Sequence, residues 1–331
     1  MKLQNKYYST DFKIATTTMK IHSSSNTILE EAKYISKKLG IYSKKFYDGH
    51  STMTPYIFVD TDIERSVIAT VWFSTLYYLD DFFGEDMNSE VTPPDFKMLF
   101  ATWMTGHYNP NKLSESFRPL FKAIAYCSER IRKNSNEVFF QRYTKCLYDH
   151  IRYTLNPTQY QVVDEYIESR IHFGGMYPTI GMIEFVNGVY INELLFIKYP
   201  SLQQATEDCV LIGVLSNDLI SYHKEKHSQH NLLNAYLKTN TVNNLDEAIS
   251  LGLNLVNQCF ESFTEHSQYT RKQIETAPLT ERHIINIYLT GIEQLISASY
   301  HWQMSTNRYR SMDNIFEDLK YPVEEQMAMA I

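Results

Sequence analysis

The chain has 331 residues, of which 44% are hydrophobic and 21% charged, a composition typical of a globular protein with one large core. Its net charge is −7, from 31 basic and 38 acidic residues spread without long runs, which argues against a nucleic-acid-binding protein. The four cysteines are far apart and form neither a CxxC pair nor a small disulfide framework.

The first 25 residues are polar and rich in Ser and Thr, which predicts a flexible or strapping N-terminal arm. They contain no apolar segment of the signal-peptide type. The whole sequence has no run of about 18 apolar residues, the length that would predict a transmembrane helix. We therefore expect a cytoplasmic protein without a membrane span.

Helical periodicity covers most of the remaining chain. It predicts a helix from Thr27 to Leu39, with Gly40 as its C-cap, and a buried helix from Asp62 to Leu79. Strand signals are scarce, so the sequence predicts a single all-α domain, 1–331, of about a dozen helices. The other predicted helices cover residues 94–105, 114–133, 136–154, 158–173, 179–186, 190–197, 202–225, 230–238, 244–268 and 280–304.

An acidic cluster follows the helix that is predicted to end at Leu79. Asp80, Asp81 and Glu85 are spaced so that Asp81 and Glu85 lie one helical turn apart, and Asp86 is adjacent. Like charges at this density repel each other unless water or cations separate them. The cluster is therefore either a solvated acidic turn or one side of a cation site, and the surrounding aromatic residues favour the cation site.

A second oxygen-rich pattern ends the helix predicted at 202–225. Asn217, Ser221 and Glu225 stand at i, i+4 and i+8, so a helix presents all three side chains on one face. Gly213, one turn earlier on that face, is expected to leave open space above them. Such oxygen ligands suit a hard cation such as Mg²⁺, although a solvated polar face would look the same. Lys224 is expected to reach an anion held by the same metal.

A competing zinc site is possible on the same segment. His223 and His227 are four residues apart, a spacing that can bind Zn²⁺. However, the residue after the first His is Lys224, so the pattern of zinc proteases is absent. The segment is also charged and near a helix end, which favours a solvated face over zinc.

Two further features point to anion binding. Arg170 stands four residues before Gly174, where two glycines and a following proline predict a break in the helix. Near the other end of the sequence, the planar guanidinium of Arg308 and the phenol of Tyr309 suit phosphate contacts. Trp302, on the preceding helix, can present its aromatic face to a cation. Each feature in isolation is better explained by ordinary core and surface residues.

Together these patterns resemble the class I terpene synthases of bacteria, fungi and social amoebae. The matching stretches, in chain order, are Asp80-Asp81-xxx-Glu85, Arg170, Gly174, Asn217-Asp218-xx-Ser221-xxx-Glu225 and Arg308-Tyr309, which together span about 230 of the 331 residues. Phe173 departs from the family pattern, because many relatives carry a polar residue that links the Arg to the helix break.

The resemblance implies a class I terpene synthase-like helical bundle around a central active-site cavity. It implies three Mg²⁺ ions, with Asp80, together with Asp81 or Glu85, as ligands on one wall. Asn217, Ser221 and Glu225 would be the ligands on the other. Arg170, Lys224, Arg308 and Tyr309 would bind the diphosphate of an acyclic isoprenyl substrate, and the carbonyl of Gly174 would act on the substrate. The expected reaction is ionisation and carbocation cyclisation to a terpene.

The aromatic residues Phe73, Tyr77 and Trp302 are candidates for the pocket wall, where their faces would stabilise a carbocation. The chain length favours farnesyl diphosphate as the substrate, with geranylgeranyl diphosphate as the longer option, and a homodimer is possible in this family. Two other functions stay open. One is a chain-elongating prenyltransferase on the same fold, and the other is a non-catalytic helical protein that binds metal or lipid.

Overall fold

The computed structural model describes residues 6–44, 51–83, 93–155 and 159–323. Contacts between residues divide the chain into two compact units. One unit comprises Lys20–Asn156 and Pro178–Tyr190, and we call it the α3 unit after its longest helix. The other comprises Met1–Met19, Pro157–Tyr177 and Ile191–Ile331, and we call it the α10 unit after its central helix.

The α3 unit is built from helices packed around a long apolar helix. Its α-helices are α1 (Ser25–Leu39), α2 (Thr54–Ile57), α3 (Ile63–Phe83), α4 (Pro93–Thr105), α5 (Arg118–Lys133), α6 (Glu137–Leu155) and most of α8 (Met176–Asn187). Helix α1 buries one face, including Ile28, Ala32 and Leu39, and packs against α3. It ends at Gly40, whose φ of +83° lies in the left-handed region, as predicted for a glycine C-cap.

The α10 unit contains the remaining helices. They are α7 (Val163–Phe173), α9 (Glu193–Lys198), α10 (Pro200–Glu225), α11 (Leu232–Lys238), α12 (Leu245–Gln273) and α13 (Leu279–Ser305). Helix α10 packs against each of the other five, most extensively against α12. Its side chains are buried around most of the helix circumference as far as Ser221, which is typical of a helix at the centre of a core. Tyr222 and His223 are half-buried and Lys224 is exposed, so the C-terminal turn of α10 is the wet end that the sequence predicts.

The N-terminal segment forms a strap on the α10 unit. Residues 9–11 and 13–16 are short 3₁₀ helices, and Phe12 and Ile14 are each only 1% exposed. The ring of Phe12 lies 5.3 Å from that of Phe316, and an isolated bridge pairs Tyr7 with Phe316. The hydroxyl of Tyr300 donates to the carbonyl of Ser9 at 3.0 Å. The strap therefore supplies core side chains rather than lying loosely on the surface.

The described residues confirm the all-α prediction. Apart from the isolated bridge, the described ranges contain no β-structure, and none of their helices is both long and apolar enough to span a bilayer. The largest boundary errors are five residues, at the start of the predicted 158–173 helix, which begins at Val163, and at the end of the predicted 244–268 helix, which continues to Gln273. The predicted 114–133 helix begins four residues late, at Arg118. Residues 114–117 form a turn, and Pro119 occupies the first helical turn, where its missing N–H costs nothing.

Candidate functional site

The C-terminal turns of α10 carry the oxygen-rich face predicted from the sequence. The helix is continuous from Pro200 to Glu225, so Asn217, Ser221 and Glu225 share one face. The hydroxyl of Ser221 donates to Oε2 of Glu225 at 2.8 Å. Burial raises the pKa of the Glu225 carboxyl, and the charge of Asp218 adds to this effect. A cation bound beside this carboxyl would favour its charged form.

Asn217 lies between two groups that come from distant parts of the sequence. Its Nδ2 donates to Oε1 of Gln303 and to the hydroxyl of Tyr309, both at 3.3 Å. Its Oδ1 faces Nη2 of Arg170 at 3.5 Å. The amide therefore stands between the α7 arginine and the segment that follows α13.

Asp218, the next residue, points into the protein. Its carboxylate is fully buried and accepts from the hydroxyl of Tyr166 at 2.5 Å, from Nε of Arg170 at 2.8 Å and from the backbone N–H of Leu232 at 3.0 Å. Burial raises the pKa of this carboxyl, while the charge of Arg170 and the three hydrogen bonds oppose the rise. Asp218 thus pairs a buried guanidinium and anchors both α7 and the start of α11 to α10.

Arg170 is held firmly on the last turn of α7. Burial by itself lowers the pKa of its guanidinium, but the charges of Asp218, Tyr166 and Glu225 and the hydrogen bond to Asp218 together outweigh this, and the net shift is upward. The ring of Phe173 lies 4.9 Å from the guanidinium carbon. At the position where the family pattern has a polar linker, this chain therefore places an aromatic face against Arg170.

The predicted helix break lies directly beside α10. Helix α7 ends at Phe173, Gly175 has a φ of +76°, and α8 begins at Met176. A Cβ added to Gly174 would lie 2.2 Å from Cγ1 of Val214, so only glycine fits there without movement. Because Gly174 has no side chain, the backbone of the helix break can lie directly against Val214 of α10.

Gly213 was expected to leave open space above the α10 ligands, and this expectation is wrong. A Cβ added to Gly213 would lie 2.3 Å from Cε and 2.4 Å from Sδ of Met176. The thioether of Met176 fills the space, because the helix break brings the first residue of α8 over α10. The side chain of Met176 therefore packs directly on Gly213, and Gly213 is not part of a cavity wall.

The segment after α13 brings aromatic and basic groups to the same region. Tyr309 is 5% exposed, and burial raises the pKa of its phenol. Nζ of Lys224 lies 4.6 Å from the centre of its ring, and the guanidinium carbon of Arg308 lies 5.7 Å away. Trp302, 3% exposed, packs edge-on against the same ring at 5.9 Å. Among the described residues, Nε of Arg308 is a buried donor without an acceptor, which suits an anion.

The acidic cluster can be followed only in part. Helix α3 continues through Asp80 and Asp81 to Phe83, but the side chains of these two acids lie outside the described part of the chain, as do all atoms of Glu85. Phe73 is 5% exposed and packs edge-on against Phe58 at 5.9 Å. Its ring centre is 6.4 Å from that of Tyr77, with the two ring planes tilted by 59°, so the two aromatics are neighbours on α3.

Three residues of the site were missed by the sequence analysis. Tyr166 contacts Asp218, Gln303 contacts Asn217, and Asn231 contacts Glu225. Each is a single polar residue in a helical or loop segment without a recognisable motif. Their only local signal is polarity next to apolar residues, which does not reveal a partner 6 to 86 residues away.

The donor set on α10 fits a magnesium ion. An amide, a hydroxyl and a carboxylate provide oxygen only, which Mg²⁺ prefers. The zinc alternative fits less well, because α10 ends at Glu225 and His227 lies in the exposed turn beyond it, while Nδ1 of His223 faces Nδ2 of Asn314 at 3.2 Å. In the described ranges, no three His, Cys, Asp or Glu side chains cluster closely enough to hold a metal alone.

Comparison with known proteins gives one family. Residues 71–262 match the family model described as terpene synthase family 2, C-terminal metal binding. The alpha-muurolene synthase of Coprinopsis cinerea is 24% identical over 276 residues, which cover 78% of this chain and 61% of that protein. Terpene synthase 1 of Acytostelium subglobosum is 25% identical over 150 residues, covering 44% and 45% of the two chains.

The fold comparison agrees with the sequence comparison. A crystal structure of α-eudesmol synthase superposes with a TM-score of 0.73 over 88% of this chain and 98% of that one. The sequence identity over this match is only 14%, so it reports on the fold alone. The fungal relative is longer than the region it shares, and this chain spans about three fifths of its length.

Proposed function

This chain belongs to the class I terpene synthase family, and we propose that it converts an acyclic isoprenyl diphosphate into a terpene with release of diphosphate. The observation that carries the proposal is the polar end of α10. There Asn217, Ser221 and Glu225 share one face, and Arg170 and Tyr309 lie on either side of Asn217. These contacts support the proposal, because a metal–diphosphate complex requires oxygen ligands for the cation next to groups that bind the anion.

The proposed cofactor is Mg²⁺, with three ions. Asn217, Ser221 and Glu225 would hold one, and Asp80 with Asp81 or Glu85 would hold the others. When bound, the ions supply Lewis-acid charge that stabilises the diphosphate leaving group. The metal-binding description of the matched family supports a divalent ion.

The basic groups around Tyr309 would bind the diphosphate. Lys224 and Arg308 flank its ring, and the buried Nε of Arg308 offers a donor to a phosphate oxygen. Arg170 has its guanidinium oriented by Asp218, so it presents a fixed donor rather than a mobile one. These residues would stabilise the negative charge that develops on the diphosphate. That charge arises because the C–O bond of the substrate breaks and both bonding electrons leave with the diphosphate.

The remaining allylic cation would react within an apolar site. Trp302, Phe73 and Tyr77 are proposed to stabilise it, by roughly 0.5–2 kcal/mol for each aromatic face. The carbonyl of Gly174 is proposed to act on the substrate. Loss of a proton or capture of water ends the reaction. Farnesyl diphosphate is the favoured substrate and geranylgeranyl diphosphate the longer alternative. A homodimer and a cytoplasmic location stay predictions.

The activity is tested by incubating the protein with geranyl, farnesyl and geranylgeranyl diphosphates and Mg²⁺, and analysing products by gas chromatography and mass spectrometry. We expect a terpene from farnesyl diphosphate and an equal amount of free diphosphate. Longer prenyl chains after addition of isopentenyl diphosphate would instead identify a prenyltransferase. Metal binding without release of diphosphate would identify a non-catalytic protein.

The site is tested by Asn217→Ala and Asp80→Ala. Each is expected to abolish nearly all product while the helical circular dichroism stays unchanged, because each removes a metal ligand. Asn243→Ala is the control, since Asn243 is an exposed asparagine that contacts Glu247 away from the site. Product formation retained in both site variants would contradict the assignment.

A further inference from the structure

We propose that Asn231 is a positioning residue for the metal ligand Glu225. This inference rests on the proposed function, because it concerns the same cation site. Asn231 immediately precedes α11, and it is fully buried. It lies six residues beyond Glu225 in sequence, across the loop that connects α10 and α11.

The side-chain amide of Asn231 joins three groups. Its Oδ1 accepts from the N–H of Leu233 at 3.0 Å and thereby caps α11. Its Nδ2 donates to the carbonyl of Asp218 at 2.7 Å and to Oε2 of Glu225 at 3.1 Å. The Leu233 N–H can only donate and the Asp218 carbonyl can only accept, so these contacts fix which end of the amide faces Glu225.

Glu225 consequently receives two hydrogen bonds on the same oxygen. One comes from Ser221 on its own helix at 2.8 Å, and the other comes from Asn231. Ser221 and Glu225 share α10, so Asn231 is what ties this carboxylate to a second element. Losing such an outer contact to a metal-binding carboxylate lowers metal affinity by about 10- to 100-fold.

The loop itself has separate anchors, so the contact to the carboxylate is not what closes it. Nδ2 of Asn234 donates to the backbone carbonyl of Glu225 at 3.0 Å and to that of Ser228 at 2.8 Å. The hydroxyl of Tyr160 donates to the carbonyl of Gln229 at 2.8 Å. The contact from Asn231 to Oε2 therefore acts on the direction of the Glu225 side chain.

The chain provides a matched control. Asn244 caps α12 in the same way, because its Oδ1 accepts from the N–H of Glu247 at 3.0 Å while its Nδ2 donates to Oε1 of Glu247 at 2.9 Å. Asn244 is exposed and its glutamate is not a proposed ligand. Asn231→Ser and Asn244→Ser both keep a good capping residue and both delete an Asn–Glu hydrogen bond.

The test measures Mn²⁺ binding by electron paramagnetic resonance in the presence of diphosphate, together with the Mg²⁺ dependence of turnover. Asn231→Ser is expected to weaken Mn²⁺ binding about tenfold or more. It should also raise the Mg²⁺ concentration for half-maximal turnover, with activity recovered at high Mg²⁺. Asn244→Ser should match the wild type. A purely structural defect would lower turnover at every Mg²⁺ concentration and would overturn the proposal, as would unchanged Mn²⁺ binding.

A swap variant tests the contact independently of metal and activity. Asn231→Asp keeps the cap but places two carboxylates together, so the melting temperature should fall. Adding Glu225→Gln restores an amide–carboxylate hydrogen bond in the opposite direction, so the melting temperature should recover in part, while the lost bond to the Asp218 carbonyl is common to both variants. No recovery relative to Asn231→Asp would overturn the inference. A wild-type protein that neither binds Mn²⁺ nor releases diphosphate would overturn the proposed function instead.

Discussion

Two adjacent residues on α10, Asn217 and Asp218, perform opposite tasks. Successive residues on a helix point about 100° apart, so one can face a ligand site while the next faces the core. Asn217 contacts Arg170, Gln303 and Tyr309, whereas the fully buried Asp218 neutralises Arg170. The same guanidinium thus contacts both residues, which couples the structural charge pair to the proposed cation site.

Removing the Tyr166 hydroxyl tests this buried charge pair. Tyr166→Phe deletes one hydrogen bond to the Asp218 carboxylate, and bonds to charged groups contribute about 1.5–3 kcal/mol. We expect the free energy of unfolding, measured by urea titration, to fall by about that amount.

Tyr160→Phe is the matched control for this loss. Tyr160 packs edge-on against Tyr166 at 5.3 Å, but its hydroxyl donates to a neutral carbonyl, that of Gln229. Such a bond contributes only about 0.5–1.5 kcal/mol. Equal losses in the two variants would show that the charge of Asp218 adds nothing to the bond.

At the scale of elements, two glycines set the contact between the helix break and α10. Gly174 receives Val214, and Gly213 receives Met176. The two contacts run in opposite directions across the same junction, since one glycine belongs to the break and the other to α10. The junction therefore resists a change in the distance between Arg170's helix and the proposed ligands.

Gly213→Ala is expected to lower stability by about 1–3 kcal/mol, because the new methyl group overlaps the thioether of Met176. The melting temperature measures this loss. In a Met176→Ala background the same Gly213→Ala change should cost much less, since the overlapping thioether is gone. An equal loss in both backgrounds would show that the overlap with Met176 is not the cause.

Across the whole molecule, most helices follow from local sequence. Apolar periodicity, glycine after a helix and proline at a helix start act within a few residues, so the ends of α1, α10 and α13 fall within two residues of the prediction. The oxygen-rich face of α10 could also be predicted from local sequence, because residues 217, 221 and 225 lie on one helix.

Contacts between distant segments could not be predicted from the sequence. The sequence gives no sign that Asp218 turns inward, because its partners Tyr166 and Leu232 are 52 and 14 residues away. It likewise gives no sign that Met176 fills the space above Gly213. Such pairings depend on how α7, the helix break and α11 pack on α10, which periodicity does not specify.

The family assignment predicts a response of the whole protein to ligand. Mg²⁺ together with diphosphate should raise the melting temperature by a few degrees at concentrations well above the dissociation constant, because binding to the folded state alone stabilises it. A chelator should abolish this rise and the release of diphosphate from substrate. Diphosphate alone is the control, and an equal rise without Mg²⁺ would contradict metal-mediated binding.

The N-terminal strap has a practical consequence for anyone who alters this protein. Ser-rich polar leaders are commonly trimmed to improve expression or replaced by affinity tags. Here trimming past Tyr8 would expose the surfaces that Phe12 and Ile14 cover, and it would remove the partner of Tyr300 on α13. Affinity tags placed before Tyr7 leave these contacts intact. Shortened variants, in contrast, would be expected to aggregate through the newly exposed apolar surface.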